Sequence, residues 1–297
     1  MTGFVYLNKP GGITSFVAAA KIRRIFSEKK TGHTGTLDPM ATGVLPVALG
    51  GATRFIELIE SHDKSYRASF RLGVTTDTLD VTGKVLTEKE VKVTKEEVLC
   101  ALEKFKGTIR QLPPMYSAIK KDGVRLYDLA RQGIEIEREE REITVYSLEL
   151  VSYNEETSEG IIDVSCSSGT YIRSLISDIG QCLSAGAVMT ALERTMTNGV
   201  ELSKCSSFAL LDEMKEKGIL EEALIPVWEF IKYPEIKVSE AQSKRFKNGG
   251  ELDLDRVRGT DKDGYYNVFS PEGEFLGIGE KSSEEGLLKV KRVYVER

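Results

Sequence analysis

The sequence predicts an α+β protein in two units. Alternating strand patterns and amphipathic helices are interleaved along most of the chain, and the character changes to a compact, strand-rich pattern around Tyr233-Pro234. At 297 residues the chain can hold one large and one small core. The expected units are 1–233, interrupted by an insertion at about 112–142, and 234–297.

Gly3 to Leu7 reads as a short strand, and Thr14 or Ser15 can cap a helix that aligns Ala18, Ile22, Ile25 and Phe26 on one face. A glycine-rich loop follows, then a strand over Val44 to Leu49 and a helix over Ala52 to Ile59. Ser65 to Leu72 alternates, with Tyr66, Ala68, Phe70 and Leu72 on one face and Ser65, Arg67, Ser69 and Arg71 on the other. Thr94 to Glu97 is a capping box opening a helix with Val98, Leu99, Leu102 and Phe105 inward, ended by Gly107. Residues 112–142 break the rhythm with a Pro-Pro turn, basic Lys120, Lys121 and Arg125, and a highly charged exit, as a surface insertion or a binding element would. Strands resume at Ile143 to Val151 and Ile161 to Cys166, followed by a helix over Tyr171 to Leu183, a strand over Val188 to Leu192 and helices within 206–224. In the second unit a helix near Ser239 to Lys247 ends at Asn248-Gly249-Gly250. Strands follow at Tyr265 to Phe269, Phe275 to Glu280 and Leu287 to Val295, closing on basic Lys289, Lys291 and Arg292.

The first residues, MTGFVYLNKPGG, lack the basic and apolar regions of a signal peptide, and no run reaches membrane-spanning length, so a cytoplasmic protein is expected. Cysteines at 100, 166, 182 and 205 show no CxxC spacing, and His33 and His62 complete no zinc set, so reduced thiols and no metal are expected. A net charge of −5 argues against indiscriminate nucleic-acid binding. Yet the first 130 residues carry 20 Lys and Arg against 14 Asp and Glu, while the remainder carries 21 against 32. That asymmetry fits a basic face for a polyanion, or simply two solvated surfaces of different sign.

Gly32 to Gly50 holds the only carboxylate between Glu28 and Glu57, that of Asp38. Pro39 forces Asp38 into an extended conformation, while Gly32, Gly35 and Gly43 permit turns and close approach by a ligand. The segment is either an ordinary turn or a loop shaped to present one carboxylate. A glycoside hydrolase would want a second positioned acid, which the loop does not offer. Two further stretches are chemically dense: Asp63-Lys-Ser-Tyr66-Arg67, where an aromatic stands among cations, and Ser167 to Arg173, where Tyr171 and Arg173 follow small residues at a helix start. By themselves Tyr66 reads as core and Arg173 as a surface residue.

Together these segments resemble a family. Lys9-Pro10-Gly-Gly12-Ile-Thr14-Ser15, Gly32-His33-Thr34-Gly35-Thr36-Leu37-Asp38-Pro39-Met-Ala-Thr-Gly43, Asp63-Lys-Ser-Tyr66-Arg67, Met115-Tyr-Ser-Ala118 and Gly169-Thr-Tyr171-Ile-Arg173 stand in the order and spacing of the TruB-type tRNA pseudouridine synthases. The resemblance spans essentially the whole chain. It implies a mixed, largely antiparallel sheet flanked by helices, a PUA-like C-terminal RNA-binding module, and conversion of uridine 55 in the T-loop of tRNA to pseudouridine without metal or cofactor. It also implies Asp38 as catalytic carboxylate, Arg173 paired with it, lowering its pKa as a neighbouring guanidinium does and so keeping it ionised, and Tyr66 stacked on the target base with a role in removing the C5 proton. His33 would fill the space left by a flipped-out base, Lys9 and Pro10 would support the loop, and Tyr171 would line the substrate site. Lys120, Lys121 and Arg125 would contact phosphates from an insertion that closes over the RNA. A monomer acting without guide RNA or accessory protein is expected. The rival reading is a non-catalytic RNA-binding or tRNA-folding protein. Asn8, Ala187 and Glu193 depart from the family pattern, the last two bearing on RNA contacts.

Overall fold

The computed structural model describes the chain except residues 61–62, 118, 122, 260 and 296–297, with residues 120 and 125 described by their backbone alone. In chain order the elements are β1 (Gly3–Lys9), α1 (Ser15–Ile25), β2 (Thr31–His33), β3 (Thr42–Leu49), β4 (Lys64–Leu72), β5 (Val74–Thr76), β6 (Val85–Glu88), α2 (Lys95–Glu103), β7 (Gly107–Gln111), β8 (Lys120–Lys121), β9 (Val124–Arg125), α3 (Leu126–Arg131), β10 (Arg141–Asn154), β11 (Glu159–Cys166), α4 (Ile172–Cys182), β12 (Ala187–Thr197), β13 (Val200–Glu201), α5 (Phe208–Glu216) and α6 (Val227–Phe230). A second group follows: β14 (Glu235–Lys237), α7 (Glu240–Lys247), β15 (Leu252–Asp253), β16 (Gly264–Phe269), β17 (Phe275–Ser282) and β18 (Leu287–Val293).

The alternation in β4 explains the centre of the molecule, because its apolar face is buried while Arg67 and Arg71 stay exposed. The main sheet runs β1-β3-β12-β4-β11-β10-β7, with β2 added to β3 and β13 to β12. Its pairs are antiparallel except β3 with β12, so it is the mixed, largely antiparallel sheet expected. That parallel contact sets Arg194 opposite Gly43 on one side, and the antiparallel pairing sets it opposite Tyr66 on the other. At Gly43, with φ +101°, a Cβ would stand 2.2 Å from the Arg194 carbonyl oxygen, so only glycine permits the approach. Ala18 and Ile22 of α1, Val98 and Leu102 of α2, and Leu175, Ile176 and Ile179 of α4 cover the sheet in one core.

The second sheet runs β14-β16-β17-β18-β15 and packs with Phe246 of α7 around Val268, Leu276 and Leu288. It meets the first through an aromatic cluster of Phe4, Phe55, Trp228, Phe230, Phe269 and Phe275. Among the described residues no helix is long and apolar enough to cross a membrane.

Three expectations are corrected. Residues expected as a helix over Ala52 to Ile59 form a 3₁₀ helix, Gly50–Leu58, whose last turn closes onto Ile59 through the Ile56 carbonyl. Leu99 is 43% exposed, because at 100° per residue it falls off the line shared by Val98, Ala101 and Leu102. Gly107 begins edge strand β7, whose single apolar residue, Ile109, gave no alternation to read.

Candidate active site

Asp38 stands in the loop between β2 and β3, and three independent clamps fix that loop. The Ser15 hydroxyl at the start of α1 accepts from Leu37 N–H at 2.8 Å and donates to the Leu37 carbonyl at 3.1 Å. Lys9 is completely buried, and its Nζ donates to the carbonyls of Pro10 and Ile13 at 2.8 Å and Pro39 at 3.3 Å. A buried ammonium without partners would be costly, and three carbonyls offset that cost. Burial still pulls Lys9 down to about 8, against the attraction of Asp38. Behind the loop, buried Arg194 donates through Nε to the Val44 carbonyl at 2.7 Å and through Nη2 to Gly35 at 3.3 Å.

Arg173 enters from the first turn of α4. Its Nε lies 2.9 Å from Asp38 Oδ2 and its Nη2 donates to Asp38 Oδ1 at 3.2 Å, a two-pronged pairing suited to an ionised carboxylate. The guanidinium is itself buried and fully braced. Nη2 also donates to the Tyr116 carbonyl at 2.8 Å and Nη1 to the Thr78 carbonyl at 3.0 Å, with Asp80 Oδ2 at 3.7 Å. Asp80 is buried in turn and accepts from Thr78 Oγ1 and the Thr82 backbone, both at 2.9 Å. The start of α4 is set by Gln111 at the end of β7, whose amide accepts from Tyr171 N–H at 2.8 Å and donates to the Tyr171 carbonyl at 3.1 Å.

Tyr66 is buried on β4, with the Arg194 guanidinium beside its hydroxyl, and burial pushes the phenol up to about 12. His33 closes β2; burial, then Arg194, lowers its pKa, which favours the neutral ring, and its Nδ1 is buried without a hydrogen-bond partner. The structure thus brings Asp38, Arg173, Tyr66, Lys9, Pro10, His33 and Tyr171 around one loop. Lys120 and Arg125 pair by backbone in the β8–β9 hairpin, and exposed Lys121 donates to the Glu137 carbonyl at 2.8 Å within the insertion. The insertion reaches the site through the Tyr116 carbonyl, which accepts from Arg173. Ala118 of the Met115 motif lies outside the described residues.

Two comparisons of sequence decide the family. The model for the N-terminal domain of the TruB family pseudouridylate synthases matches residues 23–172, and that for the C-terminal domain of pseudouridine synthase II TruB matches 234–294. This chain belongs to the TruB family. It is 44% identical over 303 residues to the tRNA pseudouridine synthase B of Clostridium perfringens strain 13, covering 100% of both chains. It is 44% identical to that of Dehalococcoides mccartyi strain CBDB1, covering 94% of this chain and 92% of the relative. Among solved structures it resembles a chain of a Cbf5-Nop10-Gar1 complex, with TM-score 0.75 and 26% identity over 98% of this chain and 84% of the other. A chain of an H/ACA RNP bound to a substrate RNA containing 2′-deoxyuridine gives TM-score 0.73 and 25% identity over 99% and 86%. The TruB fold is therefore established.

In this TruB chain one electrostatic expectation reverses. Arg173 does pull the Asp38 pKa down, but burial, aided by Asp80, raises it more, so the carboxyl sits above its ordinary value. Asp80, Arg194 and Gln111 were not read from the sequence. The signal for Asp80 was there, since Thr76, Thr78 and Thr82 flank it with hydroxyls at even spacing. Arg194 alternates with Leu192 and Met196 as a core residue would, and Gln111 carries no local mark.

Proposed function

We propose that this chain isomerises uridine 55 in the T-loop of tRNA to pseudouridine, acting as a monomer without guide RNA or accessory protein, with Asp38 as the reacting carboxylate. It is a tRNA pseudouridine synthase, on TruB membership and full-length identity to curated enzymes of that name. The observation that carries the assignment to Asp38 is its partly exposed carboxylate, gripped through two contacts by a buried arginine on a loop pinned from behind.

The reaction breaks the N1–C1′ bond, turns the uracil and joins C5 to C1′. C5 gives up its proton to water and N1 takes one up, so the conversion is redox-neutral. Asp38 can attack C1′ or remove the 2′ proton, and either route needs the ionised form. Arg173 holds that form and its aim. Tyr66 remains a phenol at neutral pH, which supports stacking on the uracil over service as a phenolate base. A uridine in a folded loop must be flipped out, at an unstacking cost of a few kcal/mol. The partnerless Nδ1 of His33 supports its role in the space the base leaves. Lys120, Lys121 and Arg125 supply phosphate contacts from the insertion of 112–142, and unit 234–297 adds a second RNA surface to unit 1–233. The enzyme meets its tRNA in the cytoplasm.

The test is tritium release from an unmodified tRNA transcript labelled at uracil C5, with no other RNA or protein present. About one label released per tRNA, lost when the T-arm is deleted, is the expected result. Binding without release would leave an RNA-binding or folding protein.

Two further outcomes are expected. Because burial raises Asp38, kcat/KM declines toward acid with a midpoint above 3.8, the ordinary value, as the carboxylate takes up a proton. A pH–rate profile on tRNA, with unfolding followed in parallel, checks the position of that limb. Asp80→Asn removes the charge facing Arg173 Nη1 while keeping the shape, and should lower kcat about 10²-fold with tRNA affinity unchanged, the scale of a small misplacement at a reacting centre. Single-turnover kinetics beside a binding titration separates the two quantities.

A further inference from the structure

Phe16 is 77% exposed, more than any other large apolar side chain among the described residues. It belongs to none of the hydrophobic clusters of the described residues, and the residue before it is bonded to the Asp38 loop. Ser15, immediately before it, exchanges two hydrogen bonds with Leu37, immediately before Asp38. Lys9 Nζ ties Ile13, three residues before Phe16, to Pro39, the residue after Asp38. The backbone that carries this aromatic is therefore tied to the same frame as the carboxylate, one residue from the bonds that hold Leu37. On the helix, Phe16, Ala20 and Arg23 share an edge at i, i+4 and i+7. A different edge is covered by α5, where Lys21 lies 4.2 Å from the centre of the Phe208 ring. Arg23, Arg24, Lys29 and Lys30 are exposed, and none forms an ion pair with a described carboxylate.

We infer that this face of α1 is part of the RNA-binding surface, with Phe16 stacking on the base of a nucleotide next to the reacting uridine and the following cations meeting its phosphates. The inference rests on the uridine entering at Asp38. An exposed aromatic followed by unpaired cations is the arrangement by which proteins hold unstacked RNA nucleotides, and the face begins one residue from the bonds that hold the Asp38 loop. His33 fills the space the flipped base leaves inside the loop, while the Phe16 ring stacks on a flanking nucleotide that the flip draws out of the loop.

The test compares wild type, Phe16→Ala and Phe16→Trp on a tRNA transcript, and on the same RNA with 2-aminopurine at the nucleotides flanking the target. Phe16→Ala should raise KM and Kd about tenfold, the scale of one lost base–aromatic stack, with the single-turnover rate at saturation within about twofold. Phe16→Trp should restore binding, and 2-aminopurine quenching at one flanking nucleotide should disappear in Phe16→Ala alone. Unchanged binding and quenching in Phe16→Ala would overturn the inference. So would a fall in Tm that accounts for the loss, or an effect confined to self-association in sedimentation, which would make the occupant a second copy of the chain. Binding and fluorescence need no turnover, so they test Phe16 even if wild type releases no tritium, and the two failures are told apart.

Discussion

Asp38→Asn should form no measurable pseudouridine, a loss of at least about 10⁴-fold in single-turnover rate, the upper end of what a positioned general base contributes and less than a lost nucleophile would cost. Its tRNA affinity should stay within about threefold, because the amide keeps the shape of the loop and the proposed contacts to RNA lie elsewhere. The loop itself does not depend on the carboxylate. Ser15 holds Leu37, Lys9 holds Pro39 and Arg194 holds Gly35, and none of these bonds uses the Asp38 side chain. Rapid-quench kinetics with filter binding on the same preparation checks both halves. Equal losses of rate and affinity would move Asp38 from chemistry to binding.

Arg173→Lys should lower the single-turnover rate about 10³-fold while leaving the charge balance intact. Lysine supplies one point of positive charge, whereas the guanidinium meets both Asp38 oxygens and still reaches the Thr78 and Tyr116 carbonyls and Asp80. An ammonium in its place leaves buried acceptors without donors and the carboxylate free to rotate, the kind of misplacement and lost electrostatic support that costs several orders of magnitude. Rate measured against Kd for tRNA, with Tm to account for the buried acceptors, is the check. A variant that binds weakly but reacts normally once saturated would assign Arg173 to RNA contact instead of to Asp38.

How much of this was legible follows from where each residue's partners lie along the chain. Tyr66 announced its strand because alternation is local, and the capping box at Thr94 and Glu97 closed within one turn of helix. The isolation of Asp38 among glycines was equally visible. Its pairing with Arg173 spans 135 residues, and the residues themselves left the reading of each open until resemblance to a family joined them. Asp80 and Gln111 act only through what they hold in space, the Arg173 guanidinium and the Tyr171 backbone, and nothing in their neighbourhood names those partners. The net direction of the Asp38 shift was misread for a related reason. The arginine that lowers it was named in the sequence, whereas the burial that outweighs it arises from loops brought together from distant parts of the chain. Leu99 shows the smaller error of taking an apolar residue as inward when its angle on the helix points it to solvent.

The central claim is that this chain alone converts one uridine of the T-loop, and that Asp38 does it. The most direct measurement is chemical mapping of pseudouridine, by carbodiimide adducts and primer extension, on an unmodified tRNA transcript incubated with wild type or Asp38→Asn and no other macromolecule. A single stop reporting position 55 with wild type, and none with the variant, is the predicted result. A stop at another position, or the same stop with both proteins, would contradict the account.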